Sequence, residues 1–438
     1  MKRNAVAWSV LSALGAMTVV SDARAAAFAL YEQGVSGLGN AYAGAAAVAE
    51  DATTVWWNPA GMARLPSGRH FAIAGSVISP STKFNNNGST PALLSNPAFT
   101  GSGGDAGDTA LVPSAFFAMN FDPRWSFGVG VSVPFGLKTD YERTWIGRFQ
   151  GIESEVKTIN VNPAVSYKLS DGASVGIGVN YQHGEIDLLT AVNLGAVAPG
   201  LEGTNKVSVD GDAWGFNAGA LFNLTPATRA GIHYRSTLKY EFDGNTTFSG
   251  VSAGIAAADP RVRDGNVELD IKTPDSLAFS VAHRMSDRLE LLGDATWWKW
   301  SRIKQLPVIR ADGPLAGQPL NTLRFDFDDT WRLSVGASYK WAGPWTLKVG
   351  LAYDQSPVPN AESRTVRLPD SDRYWLSAGA KYQISRSGAV DLGYTYVHAR
   401  DARINNVQNT PPTAANGNIV GTYEASVHVL GIQYQHSF

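Results

Sequence analysis

The sequence has no cysteine and little charge. Charged residues make up 17% of its 438 residues, and the formal net charge is -2. Without cysteine there are no disulfide bonds and no thiolate metal ligands. The balanced charge argues against a nucleic-acid partner, because phosphate backbones bind to concentrated basic surfaces. The seven histidines are scattered, with no pair at metal-ligand spacing, so we expect neither a metal nor a cofactor.

Long apolar runs are also missing after the N-terminus. Residues 1–25 carry Lys2 and Arg3, an apolar run from Ala5 to Val20, and Ala23-Arg24-Ala25. This order of charged, apolar and small residues is typical of a cleaved signal peptide. No later segment is long and apolar enough to cross a bilayer as a helix. If the exported protein lies in a membrane, it must therefore cross as a barrel.

Apolar and polar residues alternate with a period of two in most of the chain from residue 69 onward. In Trp331–Tyr339, for example, the odd positions are apolar or aromatic and the even positions are polar or small. This pattern predicts β-strands. We predict fourteen strands, near 70–84, 111–121, 124–134, 153–168, 173–188, 204–224, 228–248, 265–283, 287–304, 321–340, 344–357, 372–384, 388–402 and 422–438.

The connections between these strands alternate in length. Turns such as Asp122-Pro123 and Gly343-Pro344 are short, whereas loops such as 85–110 and 405–421 are long and rich in glycine, asparagine and proline. Outer-membrane barrels sort their connections in this way, and soluble sandwiches have no reason to do so. The sequence therefore predicts an all-β membrane protein, a 14-stranded antiparallel transmembrane β-barrel over residues 69–438 in the outer membrane of a Gram-negative bacterium.

Catalytic motifs give no positive signal. Gly172–Gly176 has the spelling of a nucleophile elbow, but a strand follows it where that motif requires a helix. We therefore predict that the protein is not an enzyme. An outer-membrane hydrolase and a general diffusion porin remain the alternatives from other functional classes.

Two blocks of the sequence resemble a known family. Ala26–Leu65 includes Ser36-Gly37-Leu38-Gly39 and Asn58-Pro59-Ala60, and a second block runs from Asp354 to Gly379. Both are similar to the FadL-type (OMPP1/FadL/TodX) outer-membrane transporters of long-chain fatty acids and hydrocarbons. The resemblance implies that residues 26–68 form a small hatch inside the barrel. The residues assigned to it are Phe28, Gly37, Gly39, Trp56, Trp57, Asn58, Pro59 and Ala60.

Proline lies inside the third predicted strand, in Val133-Pro134-Phe135-Gly136. Because proline cannot donate to a ladder, the strand should bulge or kink there. In the family, an inward kink of this strand opens a side gap in the wall. The resemblance therefore implies a lateral gate at Pro134, Phe135 and Gly136, through which an apolar molecule leaves without crossing water.

Two arginines are candidates for binding a substrate carboxylate. Strand parity points Arg235 and Arg332 into the lumen, where a guanidinium can pair with a carboxylate. We expect long-chain fatty acids or related hydrophobic compounds to be taken up passively, with aromatic or alkane hydrocarbons as the alternative. The other expected partners are outer-membrane lipid and the barrel-assembly machinery, which reads a terminal strand ending in an aromatic such as Phe438. The expected state is a monomer.

Overall fold

The predicted fourteen-stranded antiparallel barrel is confirmed. The structure is a computed structural model that describes residues 27–408 and 416–438. The predicted signal peptide, residues 1–25, and residue 26 of the predicted hatch lie outside the described residues. Neighbouring strands pair in sequence order, and strand 14 returns to strand 1 from His70 opposite Ser437 to Asn86 opposite Gly421. The sheet is therefore closed and has no free edge.

Several strands are interrupted along their length, so the fourteen strands comprise twenty hydrogen-bonded pieces. In chain order, the strands are strand 1 (Arg69–Asn86), strand 2 (Ala110–Asn120), strand 3 (Trp125–Ser132 and Gly136–Asp140), strand 4 (Glu153–Ser170), strand 5 (Ala173–Asn193), strand 6 (Glu202–Asn223), strand 7 (Thr228–Arg235 and Lys239–Ser249), strand 8 (Gly265–Lys272 and Ser276–Arg284), strand 9 (Leu289–Trp298 and Gln305–Arg310), strand 10 (Pro319–Arg324 and Thr330–Lys340), strand 11 (Trp345–Asp354), strand 12 (Arg373–Gln383), strand 13 (Gly388–Ala399 and Ala402–Gln408) and strand 14 (Gly417–Ser437).

The last hairpin is longer than predicted. Residues 405–421 were expected to form a loop, but strand 13 continues to Gln408 and strand 14 begins at Gly417. Asn405 lies opposite Val420, and Gln408 lies opposite Gly417. The loop was predicted from the polar composition of these residues. The hairpin is extended by backbone hydrogen bonds, and residue composition does not report those.

The strands turn apolar side chains outward and polar side chains inward. In strand 10, Trp331, Leu333 and Val335 are exposed, whereas Arg332 and Ser334 are buried. This arrangement is the reverse of a soluble protein and suits a wall surrounded by lipid. No helix within the described residues is long and apolar enough to cross a membrane.

Residues 27–68, called here the N-terminal segment, pack against the inward faces of the strands. Its short helices are Leu38–Asn40, Ala45–Val48, Thr54–Trp57 and Pro59–Arg64, the first and last of them 3-10 helices. Among the other helices, Ala253–Ala258, Pro260–Val262 and Gly313–Leu315 lie in connections between strands, and Trp300–Arg302 lies in the interruption of strand 9. Most side chains of the segment are buried. The segment therefore contacts the inner faces of several strands, including those of strands 4, 5 and 8.

Candidate functional site

The third strand loses its partners on both sides at Pro134. Its ladder with strand 4 stops at Ser132 opposite Asn160 and resumes at Gly136 opposite Lys157. On the other side, pairing with strand 2 reaches no further than Val131 opposite Ala115. Residues 110–114 of strand 2 therefore pair with strand 1 alone. The backbone around Pro134 is a local break in the wall.

The N-terminal segment supplies most of the missing partners from inside the barrel, while Thr158 Oγ1 of strand 4 donates to the Phe135 carbonyl at 2.7 Å and accepts from the Phe135 amide at 3.0 Å. Ala29 forms an antiparallel bridge with Phe135. Beside it, the Leu30 amide donates to the Pro134 carbonyl at 2.8 Å, and the Gly136 amide donates to the Phe28 carbonyl at 2.9 Å. These bonds give Phe28 to Leu30 the role of a short strand laid against the break. The three predicted gate residues, Pro134, Phe135 and Gly136, all touch this stretch.

Gln33 completes the substitute ladder with its side chain. Its Nε2 donates to the Val133 carbonyl at 2.6 Å, and its Oε1 accepts from the Val133 amide at 3.2 Å. One side-chain amide thus satisfies both backbone groups of Val133, as a strand neighbour would. Sequence reasoning missed Gln33. The available signal was that Glu32-Gln33 is the one strongly polar pair in the apolar and small-residue run 26–35.

A cavity of about 50 Å³ lies beside the break. Pro134 and Phe135 form one side of it, and Arg235 and Asp294 contribute charge. Tyr31, Tyr42, Trp56, Trp57 and Trp298 supply much of the remaining wall. One cavity therefore brings together residues of the predicted gate, one of the two candidate arginines, and both tryptophans of the N-terminal segment.

Arg235 is a buried cation without an acidic partner. Its guanidinium lies 3.5 Å from the ring centroid of Trp56 and donates to Asn180 Oδ1 at 2.6 Å and to the Trp56 carbonyl at 3.0 Å. No carboxylate of the described residues comes within 4.0 Å of it. Buried charges are normally paired. Asp294 also lines the cavity but does not bond Arg235, so the guanidinium has no direct acidic partner and is available to the anion of a ligand.

Arg332 has a different setting. It is fully buried and lies behind Tyr31, with its guanidinium 4.1 Å from that ring and 4.8 Å from the ring of Trp375. It donates to the Ala41 carbonyl at 2.9 Å. Glu32 is near enough to interact electrostatically with Arg332, and burial raises the pKa of Glu32 to about 7. Tyr31 thus separates Arg332 from the cavity, which Arg235 reaches directly.

Apolar clusters connect this cavity to the long-loop end of the barrel. One cluster lines strands 5 to 9 and includes Phe242 and Val267. A second surrounds Phe135 and Trp300, and Val156 and Leu306 pack against both. Trp298 then packs against both the second cluster and the cluster around Tyr31. Buried apolar side chains are therefore in continuous contact from the loop end to the break.

Asn58-Pro59-Ala60 joins the middle of the N-terminal segment to the wall. Asn58 is fully buried, and its Oδ1 accepts from the Ala60 amide at 3.1 Å while its Nδ2 donates to the carbonyls of Ala46 at 2.7 Å and Ala220 at 3.1 Å. Pro59 opens the 3-10 helix that follows, where its missing N–H is no loss. The Ala60 carbonyl accepts from Ser174 Oγ at 2.9 Å.

The remaining predicted hatch residues lie in close contacts. Gly37 packs against the Tyr42 ring, and a side chain at Gly39 would meet the Cα of Gly379 at 2.7 Å. Phe28 lies 4.9 Å from Trp300 and 5.6 Å from Phe135 between ring centroids. Trp57 stacks near Tyr42 with centroids 5.1 Å apart. The adjacent tryptophans thus have separate contacts, since Trp56 covers Arg235.

Glu50 anchors the segment nearer the short-turn end. Its carboxylate accepts from Lys348 and Lys381, each at 2.8 Å, and Lys348 also donates to Asp391 at 3.1 Å. Burial alone would raise the pKa of Glu50, but the two lysines outweigh it and lower the pKa to about 2. Sequence reasoning did not single out this network, which joins residues far apart in the chain. Within the described residues, no group of three metal-ligating side chains was found.

Comparisons with known proteins agree with this architecture. The family model described as "Outer membrane protein transport protein (OMPP1/FadL/TodX)" matches residues 16–438. The long-chain fatty acid transport protein of Escherichia coli K12 is 28% identical over 425 residues, covering 90% of this chain and 92% of that protein. Outer membrane protein P1 of Haemophilus influenzae is 29% identical over 471 residues, covering 98% of each.

Solved structures show the same fold. A FadL homologue of Pseudomonas aeruginosa superposes with a TM-score of 0.87 at 24% identity, covering 94% of this chain and all of that one. The toluene transporter TodX of Pseudomonas putida gives a TM-score of 0.67 at 18% identity, covering 94% and 100%.

Proposed function

The chain belongs to the outer membrane protein transport family (OMPP1/FadL/TodX), and on this premise we propose that it takes up long-chain fatty acids. As a member of that family, it lies in the outer membrane of a Gram-negative bacterium and transports hydrophobic compounds. The proposal assigns the chain passive transport, with no cofactor and no catalytic step.

The observation that carries the proposal is the uncompensated charge of Arg235. A cation that is 8% exposed and bonded only to neutral groups is costly unless a ligand supplies the anion. A fatty acid carries that anion on an apolar chain, and the cavity around Arg235 is otherwise mainly aromatic and apolar. Arg235 is therefore the proposed carboxylate site, in preference to Arg332, which lies behind Tyr31 near Glu32.

The proposed route requires the N-terminal segment to act as a hatch. The cavity of about 50 Å³ is far smaller than the roughly 300 Å³ at which sites for small molecules begin. Part of the segment must move to admit an alkyl chain, and Phe28 to Gln33 is the stretch that lies against the break. Its withdrawal would open the wall at Pro134 to outer-membrane lipid. The ligand would then leave sideways without entering water.

A disulfide tests this movement directly, because the natural sequence has no cysteine. Ala29 and Phe135 form the closely spaced type of antiparallel pair, flanked by the bonds at Leu30 and Gly136. We expect Ala29→Cys/Phe135→Cys to lose oleate uptake when oxidised and to recover it with reductant. The single-cysteine variants serve as controls. Full uptake by the oxidised double variant would exclude the proposed gate.

Hydrocarbon uptake is the second candidate function. Arg235 is partly satisfied by Trp56 and Asn180, and most of the cavity wall is apolar, which also suits a neutral ligand. Uptake of oleate and of hexadecane or toluene by cells expressing Arg235→Gln separates the two. Fatty-acid transport predicts that oleate uptake falls and hydrocarbon uptake does not, whereas an equal effect on both would favour the hydrocarbon function.

The proposed state is a monomer whose assembly uses the barrel-assembly machinery, with the aromatic end of strand 14 at Phe438 as its signal. A diffusion porin differs in conductance. A large steady ion current through the purified protein in a planar bilayer would contradict a lumen closed by the N-terminal segment.

A further inference from the structure

Asp294 is a second charged residue in the cavity wall, and the proposed route leaves it without a role. Its carboxylate accepts hydrogen bonds from Ser280 Oγ and from Thr296 Oγ1, the latter at 2.8 Å. Ser280 Oγ in turn accepts from the Ala46 amide at 3.0 Å. No basic side chain of the described residues lies within 4.0 Å of Asp294. Its direct partners are thus neutral hydroxyl donors, and the charge of Arg332 acts on it only from a longer distance.

The carboxylate has capacity for further donors on the cavity side. An ionised carboxylate offers about four acceptor positions, and the two hydroxyls use two of them. The nearby indole of Trp298 is already committed, because its Nε1 donates to Tyr31 Oη at 3.0 Å. A buried carboxylate gains from each added donor. The Asp294 carboxylate is therefore a strong acceptor that a hydroxyl group of a bound ligand could use.

The register of the sheet sets the distance between the backbone positions of Asp294 and Arg235, whose side chains both reach the cavity. Arg235 lies opposite Ser276 in strand 8, and Asp294 lies opposite Ser280 in the same strand. Four residues along a strand and two strand spacings across the sheet place the two positions on the order of 15 Å apart along the wall. A donor on the carbon next to a bound carboxylate would stay beside Arg235. A donor near the middle of a long chain can reach Asp294.

We propose that the cavity recognises long-chain fatty acids that carry a mid-chain hydroxyl group, with Arg235 binding the carboxylate and Asp294 accepting the hydroxyl hydrogen bond. This inference rests on the proposed uptake of fatty acids and names the substrate class within it. Water solvates a hydroxyl on a free alkyl chain, so the apolar part of the cavity alone would disfavour such a ligand. Asp294 reverses that preference.

Three eighteen-carbon acids test the proposal: octadecanoic, 2-hydroxyoctadecanoic and 12-hydroxyoctadecanoic acid. Their dissociation constants are measured by competition against a fluorescent fatty acid on the purified barrel, and their uptake is measured in cells. We expect the 12-hydroxy acid to bind roughly tenfold more tightly than octadecanoic acid, as a hydrogen bond to a charged acceptor allows. The 2-hydroxy acid should show no such gain.

Substitutions at Asp294 should remove the preference. We expect Asp294→Leu to make the 12-hydroxy acid the weaker ligand and Asp294→Asn to reduce the preference to a small factor. Ser276→Ala, a change in the same cavity wall at the level of Arg235, should keep the wild-type ratio. Resistance of the folded barrel to detergent on gels shows that each variant has folded.

The outcomes separate the two proposals. If wild type neither binds nor transports octadecanoic acid, the proposed function fails. If it does both but shows the same ratio of the three acids in wild type and Asp294→Asn, the role of Asp294 is overturned and fatty-acid uptake stands.

Discussion

Removing the amide of Gln33 should loosen the closure of the third strand. Gln33 is fully buried and bonds both backbone groups of Val133. Each neutral hydrogen bond contributes about 0.5–1.5 kcal/mol, so the pair stabilises the closed arrangement by about 2 kcal/mol. That energy corresponds to a rise of about 30-fold in the population with the segment detached. The bonds from Leu30 and Gly136 remain, so the detached state stays a minority.

Two substitutions separate lost hydrogen bonds from lost volume. Gln33→Met fills nearly the same space without the amide, whereas Gln33→Ala also leaves a cavity. We expect amide hydrogen exchange at Val133 and at residues 28–33 to speed up in both variants, and oleate uptake to rise where opening limits the rate. Wild-type exchange at Val133 in Gln33→Met would refute the idea that this side chain replaces a strand neighbour.

Three further predictions concern the N-terminal segment. Because the pKa of Glu32 rises from 4.5 to about 7 on burial, the contribution of its protonated carboxyl group to holding the segment is complete below about pH 4.5 and is lost as pH rises through 7, by on the order of 3 kcal/mol. The protection factors at residues 28–33, which are exchange rates corrected for the intrinsic base-catalysed rate, should therefore fall between pH 6 and 8.5 in wild type but not in Glu32→Gln. Gly379→Val should displace the turn at Gly39, whose Cα would lie 2.9 Å from the new Cβ, and increase cleavage of the segment by chymotrypsin, which cuts after aromatic residues such as Tyr42, whereas Gly293→Val, with no atom within 4 Å of its Cβ, should not. Asn58→Asp keeps the acceptor for Ala60 but loses the donors to two carbonyls, so thermal unfolding should show a loss of about 2 kcal/mol, and equal stability of the two proteins would contradict that role.

The barrel could be predicted from sequence because its signals are local. The alternation in Trp331–Tyr339 reports which side chains face lipid, and the alternating connection lengths report the two ends of the barrel. Pro134 likewise marks the place where the ladder cannot continue, since proline lacks the N–H that a ladder needs.

The partners of that break could not be predicted, because they depend on contacts between distant residues. The sequence around Gln33 does not indicate that its side-chain amide bonds Val133, which lies a hundred positions later in the chain. The same is true of Glu50 and its two lysines. Strand parity placed Arg235 and Arg332 on the inner face, but only the three-dimensional structure puts Tyr31 between Arg332 and the cavity.

The close contacts of the N-terminal segment inside the closed barrel have a consequence for the order of assembly. Asn40 donates to the carbonyls of Ala337 and Val349 on the inner wall, and the backbone of Gly39 lies directly against Gly379. Such contacts leave little room to thread forty residues through a finished cylinder. We therefore expect the N-terminal segment, which is synthesised before any strand, to be in place when strand 14 pairs with strand 1, so that the barrel forms around it.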